Sequence, residues 1–111
     1  MAAIQLDLHL RVAREGRAAF FEFLREAVPV YEGPGGIRIR LLESLQEPGT
    51  FIERVVYADR AAFDADQARV ETDPSMRVLL ARWRDLLEAP PRVETWQEIE
   101  DPAFRSPAPA P

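Results

Sequence analysis

The chain contains no cysteine and a single histidine, His9, among its 111 residues. Without thiols there is no disulfide framework and no thiolate chemistry, and a lone imidazole does not supply the convergent ligands that a protein metal site needs. Long apolar runs are missing as well. Nothing approaches the roughly 18 apolar residues of a membrane helix. The opening MAAIQLDLHL has no basic region and is interrupted by Asp7 and His9, which is not the pattern of a signal peptide. Cations are in the minority, 14 against 19 acidic residues for a net charge of -5, and this argues against a polyanionic partner. The expectation is a cytoplasmic protein with no membrane, nucleic-acid or metal partner and no cofactor. What remains is globular material, 47% hydrophobic and 30% charged, enough for one domain and too apolar for a disordered chain.

The centre of the pattern is a hairpin. Ile37, Ile39 and Leu41 alternate with Arg38, Arg40 and Leu42, and a second β-branched and aromatic run covers Phe51 to Tyr57. Glu47-Pro48-Gly49-Thr50 between them has turn chemistry, since Pro presets one backbone angle and Gly permits positive φ. Before the hairpin, residues 4 to 12 put Ile4, Leu6, Leu8, Leu10 and Val12 on one strand face and Gln5, Asp7, His9 and Arg11 on the other. A helix is predicted from Glu15 to about Ala27, with Pro29 ending it or forcing a new turn. After the hairpin, Asp59 is placed to cap a helix beginning at Arg60, and Asp73-Pro74 breaks or kinks that helix and caps a new segment. Met76, Leu79, Leu80, Trp83 and Leu87 form the seam of that segment, which is expected to be the best-buried helix. Arg92 to Ile99 reads as a fourth strand.

Two β-α-β units around a hairpin predict an α+β fold, the ferredoxin-like split β-α-β sandwich. Its first strand pairs with the third and fourth in a four-stranded antiparallel sheet, with helices on one face. The uncovered face carries Leu42 and Trp96, with Ile52 or Val56 beside them, and such a face calls for a second copy. A domain is expected over residues 1–100, with a disordered Pro/Ala-rich tail at 101–111.

The succession of strand, helix, VPVYEGPGGIRIRLLES, FIERVVYADRAAFDADQARVETDPSMRVLLARWRDLL and last strand resembles the dimeric α/β barrel superfamily, in particular its antibiotic biosynthesis monooxygenase-like branch. The resemblance covers about residues 4–99. It implies a homodimer whose sheets face each other as a barrel, with a small-molecule pocket between each sheet and its helices. Some members oxidise polycyclic aromatic substrates without a metal, and others bind and degrade haem. Members often carry a glutamate in the third strand, where Val55 stands here, and a histidine early in the second helix, where Asp66 stands. The implied activity is a cofactor-independent oxygenation of a small aromatic or hydrophobic compound. The alternative is a non-catalytic homodimer that binds a ligand or serves as an interaction module.

Candidate site residues follow. Tyr31, Tyr57, Phe63 and Trp83 are the aromatic groups best able to line a pocket, their polar tips orienting a ligand, although aromatics at helical spacing also build cores. Glu53, Tyr57 and His9 are the candidates for catalysis. Glu53 is a general base if it faces the helices and an ion-pair partner if it faces the barrel. His9 is a proton shuttle or an interface residue beside Asp7 and Arg11. Arg38 and Arg40 are expected to pair across strands with Asp7, Glu53 or Glu94, or else to clamp an anion.

Overall fold

The computed structural model describes residues 2–100. The tail expected to be disordered lies outside the described residues. Strand β1 (Ile4–Arg11) is followed, through a short 3-10 turn at Arg14–Gly16, by helix α1 (Arg17–Glu32). Strands β2 (Ile37–Glu43) and β3 (Thr50–Tyr57) form the hairpin. Helices α2 (Arg60–Thr72) and α3 (Pro74–Asp85) precede the last strand, β4 (Arg92–Gln97). The sheet order is β2-β3-β1-β4, every neighbouring pair antiparallel, so β1 pairs with the third and fourth strands as the sequence predicts.

Local chemistry accounts for the element ends. The hairpin turn closes with a bond from the Thr50 N–H to the Glu47 carbonyl at 3.1 Å. Gly49 has φ +91, and a Cβ there would lie 3.0 Å from the Val12 carbonyl oxygen, so only glycine fits both demands. Asp59 accepts from the Ala62 N–H at 2.8 Å, and Asp73 accepts from the Ser75 N–H at 2.9 Å with Pro74 in the first helical turn. Caps of this kind contribute about 1 kcal/mol each.

Three expectations need correction. Helix α1 does not end near Ala27 but runs through Pro29 to Glu32. Tyr31 is buried, and Arg69 of α2 donates to the carbonyls of Val30 and Tyr31 at 3.1 and 2.8 Å, so tertiary contacts hold the last turn despite the bond that proline removes. The best-buried helix is α1, with Phe20, Phe23, Leu24, Ala27 and Tyr31 inside, whereas α3 buries only Met76 and Trp83 fully. The last strand stops at Gln97, and Ile99 beyond it is exposed.

Period-2 alternation then sorts the sheet into two faces. On the helix side, Leu41, Glu53, Leu8 and Val93 form one cross-strand row, and Ile37, Tyr57 and Ile4 another. On the open side the central row reads Arg40, Arg54, Asp7, Glu94, flanked by Leu42 and Trp96, both exposed. No helix among the described residues is long and apolar enough to cross a membrane.

Candidate functional site

The space between the helix side of the sheet and the three helices is not completely filled. A cavity of about 360 Å³ remains, at the small end of the ~300–1,000 Å³ range of ligand sites. Its floor is apolar sheet, Leu6, Leu8, Ile39, Val55 and Val93. Tyr31 enters from α1, Phe63 and Asp66 from α2, and Met76, Leu80 and Trp83 from α3. The four aromatic residues singled out in the sequence, Tyr31, Tyr57, Phe63 and Trp83, therefore meet around one cavity.

Glu53 faces the helices and lines this cavity, only 3% exposed. Its neighbours across β2 and β1 are Leu41 and Leu8, and no cation lies within ion-pair distance among the described residues. The carboxyl keeps one partner, the Trp83 indole Nε1–H, which donates to Oε1 at 3.2 Å. Burial pushes its pKa up to about 7, and the indole hydrogen bond opposes that rise. A carboxyl brought to neutrality in an apolar cavity exchanges protons readily at physiological pH, which is the property of a general acid or base.

The phenols are treated differently. Tyr57 is 1% exposed, stacks edge-on against Phe63 with ring centres 5.3 Å apart, and donates its hydroxyl to Asp66 Oδ2 at 2.6 Å. Asp66 in turn accepts from Arg69 Nη2 at 2.9 Å. Burial first, and then the Asp66 hydrogen bond, push the Tyr57 phenol well above its ordinary value, so it stays protonated. The Tyr31 hydroxyl is buried without a hydrogen-bond partner among the described residues. Burial, followed by the charge of Glu53, pushes it up to about 12.

The remaining candidates lie elsewhere. His9 is on the open face, two residues along β1 from Asp7, and contacts Glu94 of β4, away from the cavity. Arg38 and Arg40 are exposed, and no carboxylate of the described residues lies within ion-pair distance of either. The pairing expected for them fails because Arg54 takes Asp7 at 2.9 Å, His9 and Arg92 take Glu94, and Glu53 is on the opposite face. Sequence reasoning passed over Asp66 and Arg69 as site residues. Their spacing was the available signal, since residues three apart on a helix share a face with each other and with Phe63. Val55, where the family resemblance looked for a glutamate, also faces the helices. Glu53 sits two residues earlier on the same face, so the carboxylate is displaced along the strand by roughly 7 Å.

Among curated proteins, none is significantly similar in sequence to this chain. Solved structures are similar in fold. A Caulobacter crescentus CB15 protein provisionally named an antibiotic biosynthesis monooxygenase is 21% identical, with a TM-score of 0.72 over 89% of this chain and 92% of that one. A conserved protein of Methanosarcina mazei Go1 reaches the same TM-score of 0.72 at 13% identity, over 86% of this chain and 92% of that one. The Nitrosomonas europaea protein NE2512, of unknown function, is 25% identical with a TM-score of 0.66, over 100% of this chain and 98% of that one. A family model described as antibiotic biosynthesis monooxygenase matches residues 4–71, from the first residue of β1 almost to the end of α2. With well over half its length matched, including Glu53, Tyr57 and Asp66, the chain belongs to the antibiotic biosynthesis monooxygenase family.

Proposed function

We propose that this protein is a homodimeric, cytoplasmic enzyme that binds a small aromatic or otherwise hydrophobic molecule between sheet and helices and oxidises it with Glu53 as general base. The observation that carries the reading is the buried Glu53 carboxyl, set among leucines in the wall of an apolar cavity and brought close to neutrality. Oxidation of an aromatic compound by O2 through a carbanion needs a base beside the reacting carbon and a dry site, and Glu53 with its surroundings offers both. The family membership supplies the reaction class.

Binding is measured by the fluorescence of Trp83 in a Trp96→Phe background, which leaves one indole in the chain. Titration with 1-naphthol is expected to quench or shift that emission, because Trp83 lines the cavity and its indole N–H is bonded to Glu53. Oxygen uptake with the same compound is expected to fall to background in Glu53→Gln while binding persists. Binding with no oxygen uptake in either protein would overturn the oxygenase reading and leave the cavity as a ligand site.

The homodimer rests on the open face of the sheet. Its central row runs from two arginines, Arg40 and Arg54, to two carboxylates, Asp7 and Glu94, a sequence of charges that a two-fold copy laid across it matches end for end. The unpaired Arg40 would then meet the partner's carboxylates, and the exposed Trp96 and Leu42 would leave water. Sedimentation at micromolar concentration is expected to give a dimer. Trp96→Glu, which places a charge in that face, is expected to shift it to monomer without unfolding it. A monomeric wild-type protein would overturn the dimer.

A further inference from the structure

We propose that Tyr31 and Glu53 form an enolising pair: the cavity takes an uncharged carbonyl compound, Glu53 withdraws a proton from the carbon next to the carbonyl, and the Tyr31 hydroxyl holds the oxyanion that results. The proposal rests on the reading that a small molecule occupies this cavity and adds the chemical class of that molecule and the role of a second residue.

Two incomplete groups share the cavity. The Tyr31 hydroxyl, on a residue 8% exposed, is a buried donor with no acceptor among the described residues. Buried polar groups are nearly always satisfied, so an orphaned one lining a cavity marks a place for a ligand atom that accepts a hydrogen bond. Tyr57 does not offer the same service, because its hydroxyl already donates to Asp66. Glu53 is the complement, an acceptor whose Oε1 is held by Trp83 and whose second oxygen has no hydrogen-bond partner among the described residues. Tyr31 comes from α1 and Glu53 from the sheet, and both line the same cavity. The walls are otherwise mainly hydrocarbon and aromatic, the Asp66 charge is paired with Arg69, and Arg84 of the lining is exposed to water, so the buried part of the site suits a neutral ligand. A volume of about 360 Å³ suits a bicyclic aromatic ketone.

The step balances without an oxidant. The C–H electron pair becomes the new C=C bond as its proton passes to the Glu53 carboxylate. The carbonyl π pair moves onto oxygen, which accepts a hydrogen bond from Tyr31, and the reverse step returns a proton to carbon. In D2O the proton on Glu53 exchanges with solvent and deuterium is returned, so turnover is visible with no net reaction. Tyr31 remains protonated from about 7, where Glu53 becomes a carboxylate, up to about 12, since burial holds the phenol up. A donor aimed at developing oxyanion charge in a dry site is worth about 10²–10³ in rate.

The experiment follows loss of the C1 proton signal of 2-tetralone by NMR in D2O under argon. Wild-type protein is expected to accelerate exchange over buffer, and Glu53→Gln to return it to the buffer rate. Tyr31→Phe is expected to slow exchange by about 10²-fold while its melting temperature stays equal or rises, because the removed hydroxyl has no partner. The wild-type rate is expected to climb with pH through about 7. The polar and titratable groups that line the cavity with Glu53 are Tyr31 from α1, Tyr57 on its own strand, Asp66 from α2, which is paired with Arg69, and Trp83 and Arg84 from α3. The pH profile should therefore disappear in Glu53→Gln alone, with Asp66→Asn retaining it. Exchange under argon without oxygen uptake in air would sink the oxygenase reading and keep the enolising pair. Binding of 2-tetralone at Trp83 with no exchange above buffer overturns the pair, as does a Tyr31→Phe variant that exchanges at the wild-type rate. Failure to bind 2-tetralone at all overturns the assigned ligand class.

Discussion

Truncating Trp83 to alanine is expected to cost about 3 to 5 kcal/mol of stability. The indole is 5% exposed, sits between α3 and the sheet, and belongs to the same core cluster as Phe20, Phe23, Leu24 and Phe51. The site is already incompletely filled, so the deleted volume adds to an existing cavity instead of being closed by neighbours that are in full contact. A second loss is polar, since the Glu53 carboxyl gives up its one hydrogen-bond donor. Trp83→Phe separates the two effects. It keeps most of the buried ring and removes the N–H, and it is expected to cost about 1 to 2 kcal/mol while moving the Glu53 carboxyl further up. Urea unfolding at fixed protein concentration measures both. A loss of under ~1 kcal/mol for Trp83→Ala would mean that α3 settles onto the sheet and fills the gap.

Stability is expected to fall as pH rises from about 5 to 8, and Glu53 is the cause. Its pKa is raised from 4.5 to about 7 in the folded protein. Below 4.5 the carboxyl is protonated in both states and its burial as a neutral group is unopposed. Between 4.5 and 7 the unfolded chain ionises while the folded protein holds its proton, so unfolding gains a proton release and stability is lost progressively. Above 7 both forms are ionised and the loss is complete. The gap corresponds to roughly 3 kcal/mol. Other perturbed groups act in different windows. Arg17 and the Gly49 N–H hold Glu43 down at about 2, a contribution lost only as pH falls below 4.5. Tyr31, raised to about 12, contributes stability that is lost above pH 10. Denaturation curves of wild type and Glu53→Gln at pH 5 and pH 8 isolate the effect, and the variant is expected to lack most of the decline. Equal declines in the two proteins would assign it to other groups.

The strands were legible in the sequence because alternation records a face directly. Leu6, Leu8 and Leu10 against Asp7, His9 and Arg11 left one arrangement for β1, and Asp59 and Asp73-Pro74 marked the starts of α2 and α3. The face of Glu53 was not legible. Ile52 and Val56 are as apolar as Phe51, Val55 and Tyr57, so composition balanced the two sides of β3, and only the pairing of Glu53 with Leu8 and Leu41 on the helix side decides between them. Pro29 misled for a related reason. Its cost to a helix is local, whereas the burial of Tyr31 and the reach of Arg69 across to the Val30 and Tyr31 carbonyls are tertiary and leave no trace in the neighbouring residues. The aromatic lining was readable as four residues with a shared tendency, but the orphaned Tyr31 hydroxyl and the committed Tyr57 hydroxyl look alike in sequence and differ only in what surrounds them.

Helix α2 has no fully buried residue. It is fastened by the Tyr57–Asp66 bond, by the Arg69 contacts with α1, and by Phe63 resting on Tyr57. Lifting α1 would expose Phe20, Phe23 and Leu24 to water, whereas lifting α2 would remove only partly buried side chains, Ala62, Phe63 and Val70, from the core. Local opening of α2 therefore lies far below global unfolding in free energy, and its amides should exchange through short-lived excursions in which the rest of the domain stays folded. The helix that closes one side of the cavity is then also the element whose opening would admit a small molecule to it, with no separate tunnel through the core.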